Sequence, residues 1–155
     1  MSQSNPNEQV VTRRLKQSPS SLLQEDYVRP APKTLDNYRE ANPQLSSKRI
    51  ALFILGMVER VDFDRMPIVI LGRFDEYDDG LNQLDLSDYG AINRGVSRVH
   101  CQLEYRDGQI VVTDLGSTNG TYLGGKRLEP NQPYIMARGD DLVVGRLPVQ
   151  IISGR

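Results

Sequence analysis

The segment Arg98–Gly125, RVHCQLEYRDGQIVVTDLGSTNGTYLGG, decides how the chain folds. Two runs rich in β-branched and aromatic residues meet at Asp107-Gly108, a dipeptide suited to a two-residue type I′ turn because it tolerates φ > 0 at both positions. The segment therefore predicts an antiparallel hairpin. In its first arm a period of two sets Val99, Cys101, Leu103 and Tyr105 on one face, with His100, Gln102 and Glu104 on the other. The second arm runs into the turn-rich stretch Asp114-Leu115-Gly116-Ser117-Thr118-Asn119-Gly120-Thr121, and Gly124-Gly125 marks a further tight reversal.

The same texture extends outward. KRIALFILGMV, MPIVILGR and LDLS precede the hairpin; KRLE, DDLVVGR and PVQIIS follow it. Short β-rich runs divided by turn signals predict an all-β sandwich or barrel. No helical pattern separates the runs, which argues against a parallel α/β sheet. The most apolar run, Ile50 to Val58, alternates poorly, as a strand covered on both faces would, and is too short to cross a bilayer as a helix.

Residues 1–46 read differently. They are rich in Ser, Gln, Asn and Pro, with apolar residues scattered singly. Such a segment cannot bury enough surface to offset an ordering entropy of about 1–2 kcal/mol per residue. The expectation is a mostly disordered polar tail over 1–46, followed by a β-rich domain over 47–155. Within the tail, SSLLQEDYV carries Ser21 and Gln24 at capping-box spacing and predicts a helical turn or two.

Composition removes several function classes. Lys and Arg total 19 against 20 Asp and Glu, so the net charge of -1 offers no global basic excess for nucleic acid. Hydrophobic residues at 38% support one modest core. Cys101 and His100 are the only residues of their types, which excludes an internal disulfide and argues against a Cys/His metal site. The N-terminal residues lack the apolar stretch of a secretory signal, and the reading is a cytoplasmic protein. Gly116 to Gly125 is glycine-rich but lacks the Gly-Lys-Ser/Thr ending of a P-loop, and no nucleophile–base arrangement follows from one histidine. No enzyme, metal or cofactor is implied.

Three segments stand out in this setting: Gly72-Arg73 at the end of an apolar run, Ser97-Arg98-Val99-His100 entering the hairpin, and Ser117-Thr118-Asn119-Gly120-Thr121 leaving it. In that order on those β-runs they resemble the forkhead-associated (FHA) domain, whose pattern is Gly-Arg, then Ser-x-x-His, then Ser-x-Asn-Gly-Thr. The resemblance covers about residues 48 to 153 and includes Gly139-Asp140 and Gly145-Arg146. It implies a β-sandwich of about eleven strands whose loops at one end grip a phosphothreonine peptide.

By that resemblance Arg73, Ser97 and Thr118 hold the phosphate, Asn119 reads the peptide backbone, and Arg98 lies near the flanking peptide residues. Gly72, His100 and Gly120 support the site structurally. The chemistry is consistent: a phosphothreonine carries about −1.5 to −2 charge and three acceptor oxygens. Arg73 offers a planar fork of donors, Ser97 and Thr118 offer hydroxyls, and the Asn119 amide offers both donors and an acceptor. Micromolar affinity, about −8 kcal/mol, follows from a few charge-assisted bonds offset by ordering the peptide.

The leading reading is thus a phosphothreonine-dependent adaptor in Ser/Thr kinase signalling, a monomer with threonine-phosphorylated partners. The alternative is a scaffold that uses the sandwich without reading phosphate. Asn119-Gly120-Thr121 also fits an N-glycosylation pattern and Arg138-Gly139-Asp140 an adhesion tripeptide, but in a cytoplasmic setting both read as turns. Thr12, before Arg13-Arg14, and Thr34 are candidate tail phosphorylation sites. Their capture by the domain would block outside ligands or, between molecules, make dimers. Asp75, Glu76, Asp78 and Asp79, in a long connection after Arg73, read as a solvated acidic loop or as a device favouring basic peptides.

Overall fold

A computed structural model describes residues 32–74 and 82–154, with backbone alone at 32–34. One helix, α1 (Pro32–Ala41), precedes eleven strands: β1 (Arg49–Ile54), β2 (Met57–Asp62), β3 (Ile68–Gly72), β4 (Gln83–Asp85), β5 (Cys101–Arg106), β6 (Gln109–Asp114), β7 (Thr121–Leu123), β8 (Lys126–Arg127), β9 (Pro133–Ile135), β10 (Leu142–Val144) and β11 (Leu147–Ile152). They form two sheets, β2-β1-β11-β10-β7-β8 and β4-β3-β5-β6-β9. Every pairing is antiparallel except β3 with β4. The fold is a β-sandwich, and no helix among the described residues is long and apolar enough to cross a membrane.

The central hairpin pairs Cys101 with Asp114 through to Arg106 with Gln109, turning at Asp107 (φ 50°) and Gly108 (φ 82°). Both φ values are those a type I′ turn requires. Cys101, Leu103, Ile110 and Val112 point into the space between the sheets and meet Ile50, Leu52, Ile54, Val144, Leu147 and Val149 from the other sheet. The Cys101 thiol is pushed up to about 12, chiefly by burial, so it packs as a small apolar group rather than a nucleophile.

Three sequence expectations need correction, and one strand, β9, was missed. The run Ile50–Val58 is two strands, not one: Leu55 (φ 49°) and Gly56 (φ 81°) turn β1 into β2. A leucine at positive φ is uncommon, and it hid the turn. Strand β9 starts at Pro133, on a sheet edge where the missing N–H costs no ladder bond. Val99 lies outside the strand and is 44% exposed, whereas His100, assigned to the polar face, is fully buried. The chain crosses the end of β3 before β5 begins, so the alternation does not reach back that far.

The third correction concerns the segment expected as tail up to residue 46. From Pro32 onward it is structured. Leu35, Tyr38 and Leu45 pack on the outer side of the six-stranded sheet against Ala51, Phe53, Val58 and Ile152. The Tyr38 and Phe53 rings meet edge to face at 4.9 Å, and Arg39 Nε donates to the Ser153 carbonyl at 2.8 Å. This second layer is why β1 is apolar on both sides: Ile50, Leu52 and Ile54 face the main core, Ala51 and Phe53 the helix. The stretch SSLLQEDYV, with Ser21 and Gln24, lies outside the described residues.

Tyr38→Ala removes the ring that seats α1 and should lower unfolding free energy by about 2–4 kcal/mol in urea titration. Glu40→Ala, on the exposed side of the same helix, should shift it by no more than about 0.5 kcal/mol.

Candidate functional site

The end of β3 and the loops between β4 and β5, β6 and β7, and β10 and β11 gather at one end of the sandwich. Gly72 closes β3 there. A Cβ on it would lie 1.9 Å from the Arg98 carbonyl oxygen, so only glycine lets the loop Ser97–His100 cross so closely. That crossing is fixed by main-chain bonds from His100 N to Leu71 O and from Arg73 N to Ser97 O, both 3.0 Å.

Arg73 then turns back over the loop. Its Nε donates to the Val96 carbonyl at 2.7 Å, which holds the guanidinium plane. Both Nη groups have no partner among the described residues. Ser97 Oγ accepts from the Thr118 amide at 3.1 Å, leaving its own hydroxyl hydrogen to be donated elsewhere. Asn119 Nδ2 donates to the Gly95 carbonyl at 2.9 Å, so its Oδ1 is an acceptor at the rim. Arg98, Thr118 and Asn119 are exposed, and Arg73 and Ser97 are half-buried. Thus Arg73, Ser97, Arg98, Thr118 and Asn119 lie on one connected surface.

His100 binds the two loops together from beneath. Its Nδ1 accepts from Ser97 N at 2.9 Å, and its Nε2 lies 2.8 Å from the Gly120 carbonyl. An amide on one side and a carbonyl on the other require the neutral ring with its proton on Nε2. Burial lowers the His100 pKa, against the opposing effects of the Gly120 bond and the Asp114 charge. Gly120 (φ 86°) sits where a Cβ would strike the Arg127 guanidine, and its carbonyl also accepts from Gly145 N at 3.0 Å.

Asp114 shapes the Ser117–Gly120 loop. Its carboxylate accepts from Gly116 N and Ser117 N at 3.1 Å, Ser117 Oγ at 2.5 Å and Thr121 Oγ1 at 2.7 Å. Ser117 Oγ in turn accepts from Gly120 N at 2.9 Å. Burial alone would raise the Asp114 pKa, but these bonds outweigh it and the net shift is downward. Sequence reasoning missed this residue, although Asp-Leu-Gly-Ser at a strand end is an Asx-turn signal. It also missed Arg127 and Arg146, which border Asn119-Gly120 from the β7–β8 and β10–β11 sides. Thr12 and the acidic residues Asp75, Glu76, Asp78 and Asp79 lie outside the described residues; Thr34 lies in α1.

A β-sandwich that gathers donor-rich loops at one end has the architecture of a binding module. The model of the FHA domain matches residues 69–145, from β3 to the β10–β11 turn, and this chain is an FHA-domain protein. The oxoglutarate dehydrogenase inhibitor of Corynebacterium diphtheriae is 36% identical over 59 residues, 38% of this chain and 39% of that protein. The glycogen accumulation regulator GarA of Mycolicibacterium smegmatis is 34% identical over 59 residues, 38% of this chain and 35% of that one. The match therefore spans about two fifths or less of these relatives. Among solved structures, the FHA domain of an Arabidopsis thaliana hypothetical protein superposes with a TM-score of 0.55 at 22% identity, covering 72% of this chain and 91% of that one. The FHA domain of a Chlamydia trachomatis protein gives 0.53 at 21%, covering 69% and 99%. These likenesses establish the fold.

Folding lowers the pKa of His100, so the unfolded chain binds a proton more readily below the ordinary value of 6.5. Stability should therefore fall as pH drops below about 6.5, by up to about 1.4 kcal/mol per unit. Urea midpoints measured across that range should show the slope in the native protein and lose much of it in His100→Gln. Asp114 shifts the same way, its contribution lost only as pH falls below the carboxylate range. Asp114→Ala should cost about 2–4 kcal/mol at neutral pH, read in the same titration.

Proposed function

We propose that this chain is a phosphothreonine-dependent adaptor that docks onto a partner phosphorylated by a Ser/Thr kinase. The observation that carries the reading is the loop end itself. A guanidinium fixed through Nε keeps its Nη donors open beside a serine hydroxyl whose oxygen is already occupied by the Thr118 amide. A phosphate needs such a fixed cation and several neutral donors. Arg73, Ser97 and Thr118 take the phosphate oxygens. Asn119, anchored through Nδ2, presents Oδ1 to a peptide N–H, and Arg98 faces the residues beside the phosphothreonine. Nothing in this arrangement requires a nucleophile, a base or a bound metal.

Because the donors are held by the protein's own backbone, little ordering remains for binding beyond that of the peptide. Thr34 has a second requirement if the domain is to read it. It sits in the first turn of α1, so an extended phosphopeptide containing it forms only after that turn unwinds. Thr12 carries no such cost of melting α1 and is the better candidate for self-capture.

Titration with a degenerate phosphothreonine peptide library should give micromolar binding, with unphosphorylated and phosphoserine peptides weaker. Arg73→Ala, shown by melting to be folded, should weaken phosphothreonine binding by about 10- to 100-fold. Binding that ignores the phosphate, or is indifferent to Arg73, would favour the scaffold reading instead.

A further inference from the structure

Helix α1 covers only part of the outer face of the six-stranded sheet. Its first turns, at Leu35, Asp36 and Arg39, form a groove with Arg138, Gln150 and Ile152, beside β11 and the β9–β10 loop. Just past its other end, Asn42 Oδ1 accepts from Arg60 Nη2 of β2 at 3.4 Å. The helix therefore crosses from β11 over β1 to β2, in the sheet order β2-β1-β11-β10-β7-β8. The half formed by β10, β7 and β8 lies on the side from which the chain enters α1.

That half carries an apolar row. Pro148, Val143 and Tyr122 stand opposite one another across β11, β10 and β7, with Arg127 of β8 next in line. Residues directly opposite share a face. The strand neighbours Leu147, Val149, Leu142, Val144 and Leu123 fill the main core, so the row points outward. Gln150, two residues from Pro148 and opposite Phe53, shows that this is the face α1 occupies. Pro148, Val143 and Tyr122 are all half-buried.

We propose that this row seats residues 22–28 of the same chain, as a second short helix beside α1. Ser21 and Gln24, at capping-box spacing, predict a helix start at Leu22. At 3.6 residues per turn, Leu22, Leu23, Asp26 and Tyr27 fall within about 140° of arc, with Gln24, Glu25 and Val28 outside it. Three apolar side chains thus meet the three of the row, and Asp26 meets Arg127 at its end. Arg29, Pro30 and Ala31 separate this segment from Pro32. Three residues span about 10 Å, the width of the two strand spacings from β11 to β7. Pro30 and Pro32 keep the two helices from merging into one. The pattern repeats that of α1, whose few apolar side chains, Leu35 and Tyr38, cover the neighbouring half of the same face. This docking surface lies away from the loop end and does not depend on the phosphothreonine reading.

Amide hydrogen exchange on the full chain tests the docking. In the native protein the amides of residues 25–28 should exchange about tenfold more slowly than in the double variant Leu23→Asp, Tyr27→Asp. The surface variant Tyr122→Ser, Val143→Thr should bring them to that faster rate, while β5 and β6 keep their native protection. Native exchange as fast as in the tail variant, or slow exchange that survives the surface variant, would overturn the proposal. So would protection lost on about hundredfold dilution, which would mean that a second copy supplies the segment. If the surface variant fails to keep β5 and β6 protected, backbone NMR of the tail variant decides instead. Its Tyr122 and Val143 signals should move from their native positions, and unmoved signals would equally overturn the docking.

Discussion

A fully buried imidazole that accepts from the Ser97 amide and donates to the Gly120 carbonyl joins two loops that share no regular hydrogen-bond ladder. Everything at the binding end depends on that ring staying neutral. A protonated ring would present a donor to the Ser97 amide, which has only a donor to offer, and both groups would be left buried without partners. Burial opposes that protonation most strongly, so the packing that hides His100 also selects the tautomer that works. Above the ring, the Asp114 carboxylate fixes Gly116, Ser117 and Thr121 in one stroke. The ring sets where the loops meet, and the carboxylate sets the shape of one of them.

The parts of the fold legible in the sequence are those governed by local chemistry. Asp107-Gly108 and Gly124-Gly125 reverse the chain at positive φ, as their composition requires. The three segments from Gly72-Arg73 to Thr121 meet at one end because each lies at a strand terminus on that end. What was not legible depends on tertiary partners. Leu55 takes a left-handed conformation that leucine seldom adopts alone, and the surrounding β1–β2 ladder enforces it. His100 reads as a polar-face residue from alternation, yet the crossing over Gly72 has already ended the alternation there. A Cβ on Gly72 would stand 1.9 Å from the carbonyl oxygen of Arg98, about twenty-five residues away in sequence, a separation at which no local rule operates.

Helix α1 shows the same limit from the other side. Its sequence, PKTLDNYREA, has only scattered apolar residues, too few for a free helix to persist in water. Tyr38 and Leu35 nevertheless fall on one face, and the outer surface of β1 and β11 offers Ala51, Phe53 and Ile152 to receive them. The poor alternation of β1 was therefore a sign of a second covering layer, and the layer lay in the segment whose composition seemed to disqualify it. Propensity is a weak guide when the receiving surface is already built.

Holding polar side chains of the loop end by main-chain carbonyls has a consequence for energetics. Arg73, Asn119 and Arg146 each spend one nitrogen on a backbone oxygen, at Val96, Gly95 and Asn93. Each bond removes rotamer freedom during folding, before any ligand arrives, so association does not bear that entropy. A carboxylate in the same place would orient a guanidinium equally well, but it would also neutralise the field that an anionic ligand meets. Carbonyl dipoles orient the arginines and leave their full charge available. At the far end of the sandwich, carboxylates do pair with Lys48, Arg49 and Arg106. The separation of the two kinds of support is thus a property of the fold's two ends.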